Sequence, residues 1–283
     1  MTTKSLEEHL AFYGLRHFSF DSSDRAGLEF DEKTALELDR LRQCVTRPGA
    51  KNYPEKIKKF YDILAQPDLA SVIHSMKADA IRASGEAVAK RLAGRKNILD
   101  LGCATGYLST WYALSVSGRE VTGVDFSEKS IEEAGRKAVE QKIENVRFRI
   151  LNICETGPGA FEQDGEREAF DVIVDTQTIQ MTRNIPKTFA NVRAWLNPGG
   201  LLVSVPVLET ARHARAFTRC LTKAGFKLQS FDFIDYEDHG NPGGYPVLTA
   251  ALEGLAIDVN LEEEYERMWQ RLNPMGAGSP GER

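Results

Sequence analysis

Apolar and polar positions change their period near residue 95. Upstream, apolar residues recur three and four apart: Leu6, Leu10 and Phe12; Leu36, Leu38 and Leu41; Ile57, Phe60, Tyr61 and Leu64; then Leu69, Val72, Ile73, Met76 and Ala80, continuing to about Leu92. That spacing predicts four helices. Ser5 and Glu8 are placed for a capping box, Asp31 for a cap, and Pro54 for a first helical turn. Downstream, short strand-like runs alternate with helical segments. Strands are expected at 97–101, 120–125, 146–151, 170–175, 201–206, 227–235 and 246–253. Helical segments are expected at 107–115, 127–141, around 156–168, at 186–196 and at 211–224. Parallel crossovers need connections of that length, so the pattern predicts an α/β fold with a doubly wound, seven-stranded sheet. Only a loop at 236–245, with Asn241, Pro242, Gly243 and Gly244, separates the last two strands, which makes the final strand antiparallel.

The division assigns residues 1–95 to a helical cap, 96–256 to the α/β domain and 257–283 to a charged helix with a tail. Tyr13, His17, Tyr53, Tyr61 and His74 are the cap's candidates for a substrate pocket, although aromatics at helical spacing are usually core. The C-terminal helix carries Leu261, Tyr265, Met268 and Trp269 on one side, a face that could pack on the domain or bridge to a second copy as a homodimer. The Gly- and Pro-rich end from residue 273 is expected to be disordered.

Composition narrows the function. Of 283 residues, 42% are hydrophobic and 27% charged, which suits a globular protein with a full core. A net charge of −5 argues against a broad face for nucleic-acid phosphates and favours a small-molecule substrate. No apolar run approaches the roughly 20 residues needed to span a bilayer. The N-terminus lacks a secretory pattern, so a cytoplasmic protein without a membrane partner is expected. Cys44, Cys103, Cys154 and Cys220 show no paired spacing, and neither a metal site nor a disulfide framework is expected.

The chemistry is concentrated in ILDLGCATGYL, residues 98–108. Asp100, Gly102 and Gly106 stand where a first strand turns into a helix. Gly102 can take a conformation closed to residues with a Cβ, and Gly106 lets backbone approach a ligand. The spacing is not that of a dinucleotide fingerprint, and an acid just before the first glycine suits an ammonium or sulfonium ligand better than a pyrophosphate. Asp125, about twenty residues on at the end of the second strand, is placed to accept ribose hydroxyls.

These stretches, together with RFRILNI (147–153), FDVIVD (170–175) and LNPGGLLVSV (196–205), resemble the class I S-adenosylmethionine-dependent methyltransferases, in that family's order and spacing. The resemblance implies a Rossmann-like fold, S-adenosylmethionine as cofactor and S-adenosylhomocysteine as product. It implies that Gly102, Cys103, Ala104 and Gly106 meet the methionine part and that Asp100 reaches its amino end. Asp125 would hold the ribose, and Phe126 would lie against the adenine. Asn152 and Ile153 stand where relatives have an acid and a small apolar residue; the carbonyl oxygen of Asn152 would take the adenine amino group. Asp175 would face the transferred methyl and the substrate.

The turn has Ala104 where many relatives have a third glycine. Relatives acting on small metabolites often carry a histidine past the fourth strand, where this chain reads TQTIQMTRN. Gln177, Gln180 and Arg183 are not good bases at neutral pH. If a protein base is used, His74 and His239 are the candidates. The expected activity is methyl transfer to an oxygen or nitrogen of a small metabolite, by in-line displacement driven mainly by proximity. The alternatives are an inactive cofactor-binding regulatory subunit and an NAD-dependent dehydrogenase.

Overall fold

The computed structural model describes residues 5–15, 32–45, 52–65, 78–115, 118–163, 166–208, 210–238, 241–257 and 259–272. The expected roles of His17, Asp31, His74 and His239, and the tail from 273, lie outside the described residues. Among the described residues four helices precede the sheet: α1 (Leu6–Phe12), α2 (Glu32–Val45), α3 (Tyr53–Leu64) and α4 (Ala78–Ala89). The capping box of α1 forms, with Ser5 and Glu8 each satisfying the other's backbone N–H, and Pro54 lies in the first turn of α3.

The strands are β1 (Asn97–Leu101), β2 (Glu120–Asp125), β3 (Val146–Ile150), the short β4 (Glu162–Gln163) and β5 (Glu166–Arg167), β6 (Phe170–Thr176), β7 (Leu196–Val205), β8 (Lys227–Asp238) and β9 (Asn241–Ala251). Between and after them come α5 (Tyr107–Ser115), α6 (Glu128–Glu140), α7 (Ile185–Trp195), α8 (Ala211–Lys223) and α9 (Leu261–Leu272). Seven strands form one sheet in the order β3-β2-β1-β6-β7-β9-β8. β1, β2, β3, β6 and β7 pair in parallel, and β9 runs antiparallel to both β7 and β8. This is the Rossmann-like, doubly wound sheet with an antiparallel last strand. The order reverses beside β1, and ligands of such sheets bind there, beyond the strand carboxyl ends.

Helices cover both faces, so the central strands are apolar on both sides. Leu99, Leu101 and Ile173 face Phe189, Trp195 and Phe217 of α7 and α8, with Tyr265 and Met268 of α9 in the same core. Ile98, Val121 and Val172 face Leu108 and Tyr112 of α5. That second core also takes Leu6 and Leu10 of α1 and Ile81 and Val88 of α4. In contrast, α2 and α3 share a small cluster of their own, around Leu38 and Leu64.

Two segments differ from the sequence reading. The connection near 156–168 is not a regular helix: Pro158–Phe161 makes one short 3-10 turn and β4 pairs with β5. Gly157, Pro158 and Gly159 leave little helix-forming sequence, and Phe161 anchors the turn edge-on to Phe170 and Trp195, at 5.0 and 5.2 Å between ring centres. The expected loop at 236–245 is mostly strand, paired as far as Asp238 with Asn241. A Cβ at Gly243 would lie 2.5 Å from the Tyr236 ring, so the bare glycine lets that ring lie across the pair and reach Tyr245, 4.9 Å away. Leu248 pairs with Ser204, so Gly243 to Tyr245 project past the end of β7 on the ligand side of the sheet.

No helix among the described residues is long and apolar enough to cross a membrane.

Candidate functional site

Three carboxylates stand at the carboxyl ends of β1, β2 and β6. Asp100, Asp125 and Asp175 are 3%, 7% and 0% exposed, and none has a Lys or Arg partner among the described residues. Burial penalises their charged forms and dominates their titration. Asp100 is pushed up to about 7, with Ser109 partly opposing the shift and the nearby Asp175 and Asp125 adding to it. Asp125 is pushed up to about 6 by burial, against three backbone N–H groups that favour its ionised form. Burial likewise raises Asp175.

Each acid also builds the turn. The Ser109 hydroxyl donates to Asp100 Oδ2 at 2.5 Å. Asp125 accepts the Ala104 N–H on Oδ2 at 3.0 Å and the Ser127 N–H on Oδ1 at 2.9 Å, and so ties the glycine turn to the start of α6. Ser127 caps α6 itself, taking the Ser130 N–H, which leaves Asp125 free of that duty. The expectation that Asp175 faces the cleft is corrected. Its Oδ1 takes the N–H groups of Thr178 and Ile179, each at 2.9 Å, and its Oδ2 takes the Ser204 hydroxyl at 2.5 Å. Fully buried, with three donors on its two oxygens, Asp175 holds the chain reversal after β6.

The backbone of the turn is unusual. Gly102 has φ +64°, and a Cβ there would lie 2.2 Å from Thr178 Oγ1, whose hydroxyl donates to the Leu101 carbonyl at 3.0 Å. Ala104 also takes a left-handed φ, 48°, which costs about 1 kcal/mol in a residue with a Cβ. Gln177 does the same at 62°, just past β6. Gly106 is also required by packing: a Cβ there would meet Phe148 at 2.7 Å and Ala134 at 2.9 Å, and its φ of +81° is left-handed. Cys103 and Ile153 turn their side chains into buried surroundings, and burial raises the Cys103 thiol well above its usual range. The Cys103 backbone N–H goes to the Val124 carbonyl and its carbonyl takes the Gly106 N–H, at 3.0 and 2.9 Å.

Helix α3 roofs this edge. Its Tyr61 ring meets Phe126 edge-on at 6.2 Å, and Asp62 Oδ1 accepts the Ser127 hydroxyl at 2.6 Å. On the other wall, the Tyr53 hydroxyl donates to the Met181 carbonyl at 2.8 Å, and Tyr61 reaches the Met181 sulfur at 3.6 Å. Beneath the helix lies a cavity of about 270 Å³, lined by Pro54, Glu55 and Lys58 of α3 and by Phe126, Leu151 and Asn152 of the sheet edge. Asn152 differs from expectation in one respect. Its Oδ1 already takes the N–H groups of Cys154 and Glu155, at 3.2 and 3.3 Å, so the group it has left to offer is its amide N–H.

The structure therefore brings together Asp100, the turn 102–106, Asp125, Phe126 and Asn152, and turns Asp175 and Ile153 inward. Sequence reasoning missed Ser109, Thr178 and Ser204 as partners of the acids. Thr178 carried a signal, since a carboxylate three residues ahead of an N–H is a capping pattern. Ser204 carried none, because its pairing depends on the β6–β7 register. Tyr61 was singled out on aromatic character alone, without the roof it belongs to. Three buried polar atoms near this edge, Tyr112 Oη, Thr176 Oγ1 and Gln180 Oε1, have no hydrogen-bond partner among the described residues.

A family model described as a methyltransferase domain matches residues 93–234, half of the chain. A hybrid PKS-NRPS synthetase, apdA, of Emericella nidulans is 32% identical over 114 residues, 39% of this chain and 3% of that one. A ubiquinone biosynthesis O-methyltransferase of Coxiella burnetii is 33% identical over 107 residues, 38% of this chain and 42% of that one. The chain thus spans less than half the length of these relatives. Among solved structures, the [4+2]-cyclase SpnF aligns with TM-score 0.54 and 19% identity, over 69% of this chain and 94% of that one. A geranyl diphosphate methyltransferase in complex with GPP and sinefungin aligns with TM-score 0.51 and 18% identity, over 64% and 81%. At such identities the likeness is one of fold.

Proposed function

The chain belongs to the class I S-adenosylmethionine-dependent methyltransferase family, and on that premise we propose that it methylates an oxygen or nitrogen of a small-molecule metabolite. The observation that carries the reading is the group of buried carboxylates at the glycine turn, with no cation beside them among the described residues. Burying ionised acids without a partner is costly, so the site favours a ligand that brings positive charge. The residues present fit the cofactor. Asp100 has an oxygen beyond its bond to Ser109, and the left-handed turn at 102–106 exposes backbone rather than side chains. Asp125 suits the ribose, and Phe126 with Asn152 borders a cavity at the lower end of ligand-site volumes, which suits a base better than a whole cofactor.

When bound, S-adenosylmethionine supplies a methyl group on a sulfonium, already activated as an electrophile. The protein's part is to bind, align and exclude water. The tyrosines near the turn are not good bases at neutral pH. Burial and the neighbouring acids raise Tyr61 and Tyr107 above the ordinary tyrosine range, so both stay protonated. His74 and His239 remain the proposed bases for an acceptor that needs one. Residues 1–95 are proposed as the cap and 96–256 as the cofactor domain. The roof formed by α3 supports a small acceptor, and the O-methyltransferase among the relatives supports oxygen.

Calorimetry with S-adenosylhomocysteine and with NAD tests the cofactor half. Tight binding of the homocysteine compound is expected, and tight NAD binding without it would sink the reading. Incubation with methyl-labelled cofactor and metabolite extracts, read by mass spectrometry, tests the acceptor half; a labelled protein or RNA in place of a metabolite would refute it.

A further inference from the structure

The cofactor assigned above needs a hydrogen-bond acceptor for its adenine amino group, and the side-chain oxygen at the end of β3 is already engaged. The residue at the end of β3 is Asn152, and both lone-pair directions of its side-chain oxygen are taken by the Cys154 and Glu155 N–H groups. Its remaining N–H is a donor, suited to a ring nitrogen and unsuited to an amino group. The cavity beside it holds a charged acceptor on its opposite wall. Glu55 of α3 lines that cavity and has no hydrogen bond or ion pair among the described residues. Lys58, the other charged lining residue, is paired at 3.0 Å with Asp62, the residue that takes the Ser127 hydroxyl.

We propose that Glu55, which lies outside the stretch matched by the methyltransferase domain, accepts the adenine amino group, so that the bound cofactor itself clamps α3 over the pocket. Beside Lys58 and Thr156, two of the polar groups lining the cavity are then complementary to an adenine: Asn152 donates and Glu55 accepts. The helix is tied near its C-terminal end by the Asp62 carboxylate to the Ser127 hydroxyl and near its N-terminal end by the Tyr53 hydroxyl to the Met181 carbonyl, so a charge-assisted bond at Glu55 adds a third tether, at the pocket itself. Because the cluster α2 and α3 share is small among the described residues, such polar tethers add to the burial of Tyr53, Ile57 and Leu64 in placing the roof.

The inference rests on the cofactor assignment, and its test separates the two. Calorimetry on the full chain compares S-adenosylhomocysteine with S-inosylhomocysteine, in which a carbonyl replaces the amino donor. Wild type is expected to prefer the adenosyl compound. Glu55→Ala should weaken the adenosyl compound roughly 5- to 10-fold and leave the inosyl compound unchanged or tighter. Glu55→Gln, which keeps a carbonyl oxygen, should fall between. Hydrogen exchange of the α3 amides should slow on adding the adenosyl compound to wild type and not to Glu55→Ala. Equal weakening of both ligands, or no weakening of either, would overturn the assignment of Glu55 while leaving the cofactor in place. Failure of wild type to bind either compound would overturn the cofactor and Glu55 together. Glu55 is exposed at the first turn of α3, so a folded variant is expected, checked by circular dichroism.

Discussion

The floor and the roof of this site are held by opposite means. The floor is made of strand ends from the middle of the sheet. There Asp100 and Asp175 are sealed under hydroxyl donors, and Gly102 packs so closely against Thr178 that a single added carbon has no room. The roof, α3, belongs to a small satellite cluster and reaches the floor through two hydroxyls, one ring contact and a sulfur. A floor of this kind is preorganised, and its cost in buried charge is present whether or not a ligand is bound. A roof held by exposed or half-buried polar contacts opens locally at small cost. The difference suits a site that must admit a large cofactor and then close over it.

The comparison can be broken first by pH. Asp100 and Asp125 titrate above their unfolded values, so between about pH 4 and pH 7 the folded, ligand-free protein binds more protons than the unfolded chain. The stability contributed by these groups is complete below about pH 4 and is lost as pH rises through about 6 and 7. The loss is on the order of several kcal/mol, read from chemical denaturation across pH. Asp100→Asn should flatten much of that fall. A cationic ligand favours the ionised acids, so affinity for S-adenosylmethionine should rise over the same window. It should rise more steeply than for the neutral sulfur of S-adenosylhomocysteine.

Next in size is the steric test. Gly102→Ala should cost about 2 to 4 kcal/mol of global stability, combining left-handed strain with the clash at Thr178. Thr178→Ala in the same chain should recover part of it, and additive losses would show that the clash is not the cause. Asp125→Ala should weaken S-adenosylhomocysteine by about 1 to 3 kcal/mol in calorimetry, and unchanged affinity would refute the ribose assignment. For the roof the expectation reverses. Asp62→Ala should change global stability by less than about 1 kcal/mol, yet speed hydrogen exchange in α3. A cooperative loss as large as that of Gly102→Ala would mean that roof and floor are one unit. The smallest effect is expected for Ala104→Gly, which relieves a left-handed alanine and should be neutral to about 1 kcal/mol stabilising, since the unfolded chain gains freedom too.

The sheet was legible because its central strands are buried on both faces and read as apolar runs, while α6 and α8 show periods that burial enforces. The hairpin was half legible. Pro242, Gly243 and Gly244 signal a loop, and only the ring of Tyr236 filling the space over Gly243 explains why strands continue there. Ala104 stood out as a departure from the glycine pattern, but its left-handed backbone did not, since propensity alone argues against it.

By itself the sequence determined the order of the main strands and helices, the turn at Asp100 to Gly106 and the kind of cofactor, and it singled out Asp125 for the ribose role proposed above. These follow from local spacing, where residues close in the chain must be close in space. Tertiary structure alone decided that Asp175 turns inward to Ser204, that Asn152 spends its oxygen on the Cys154 and Glu155 N–H groups and that α3 brings Glu55 to the cavity beside Asn152. Each of those depends on contacts between residues distant in sequence, or on which rotamer a crowded turn leaves open. No spacing of residue types encodes such a choice.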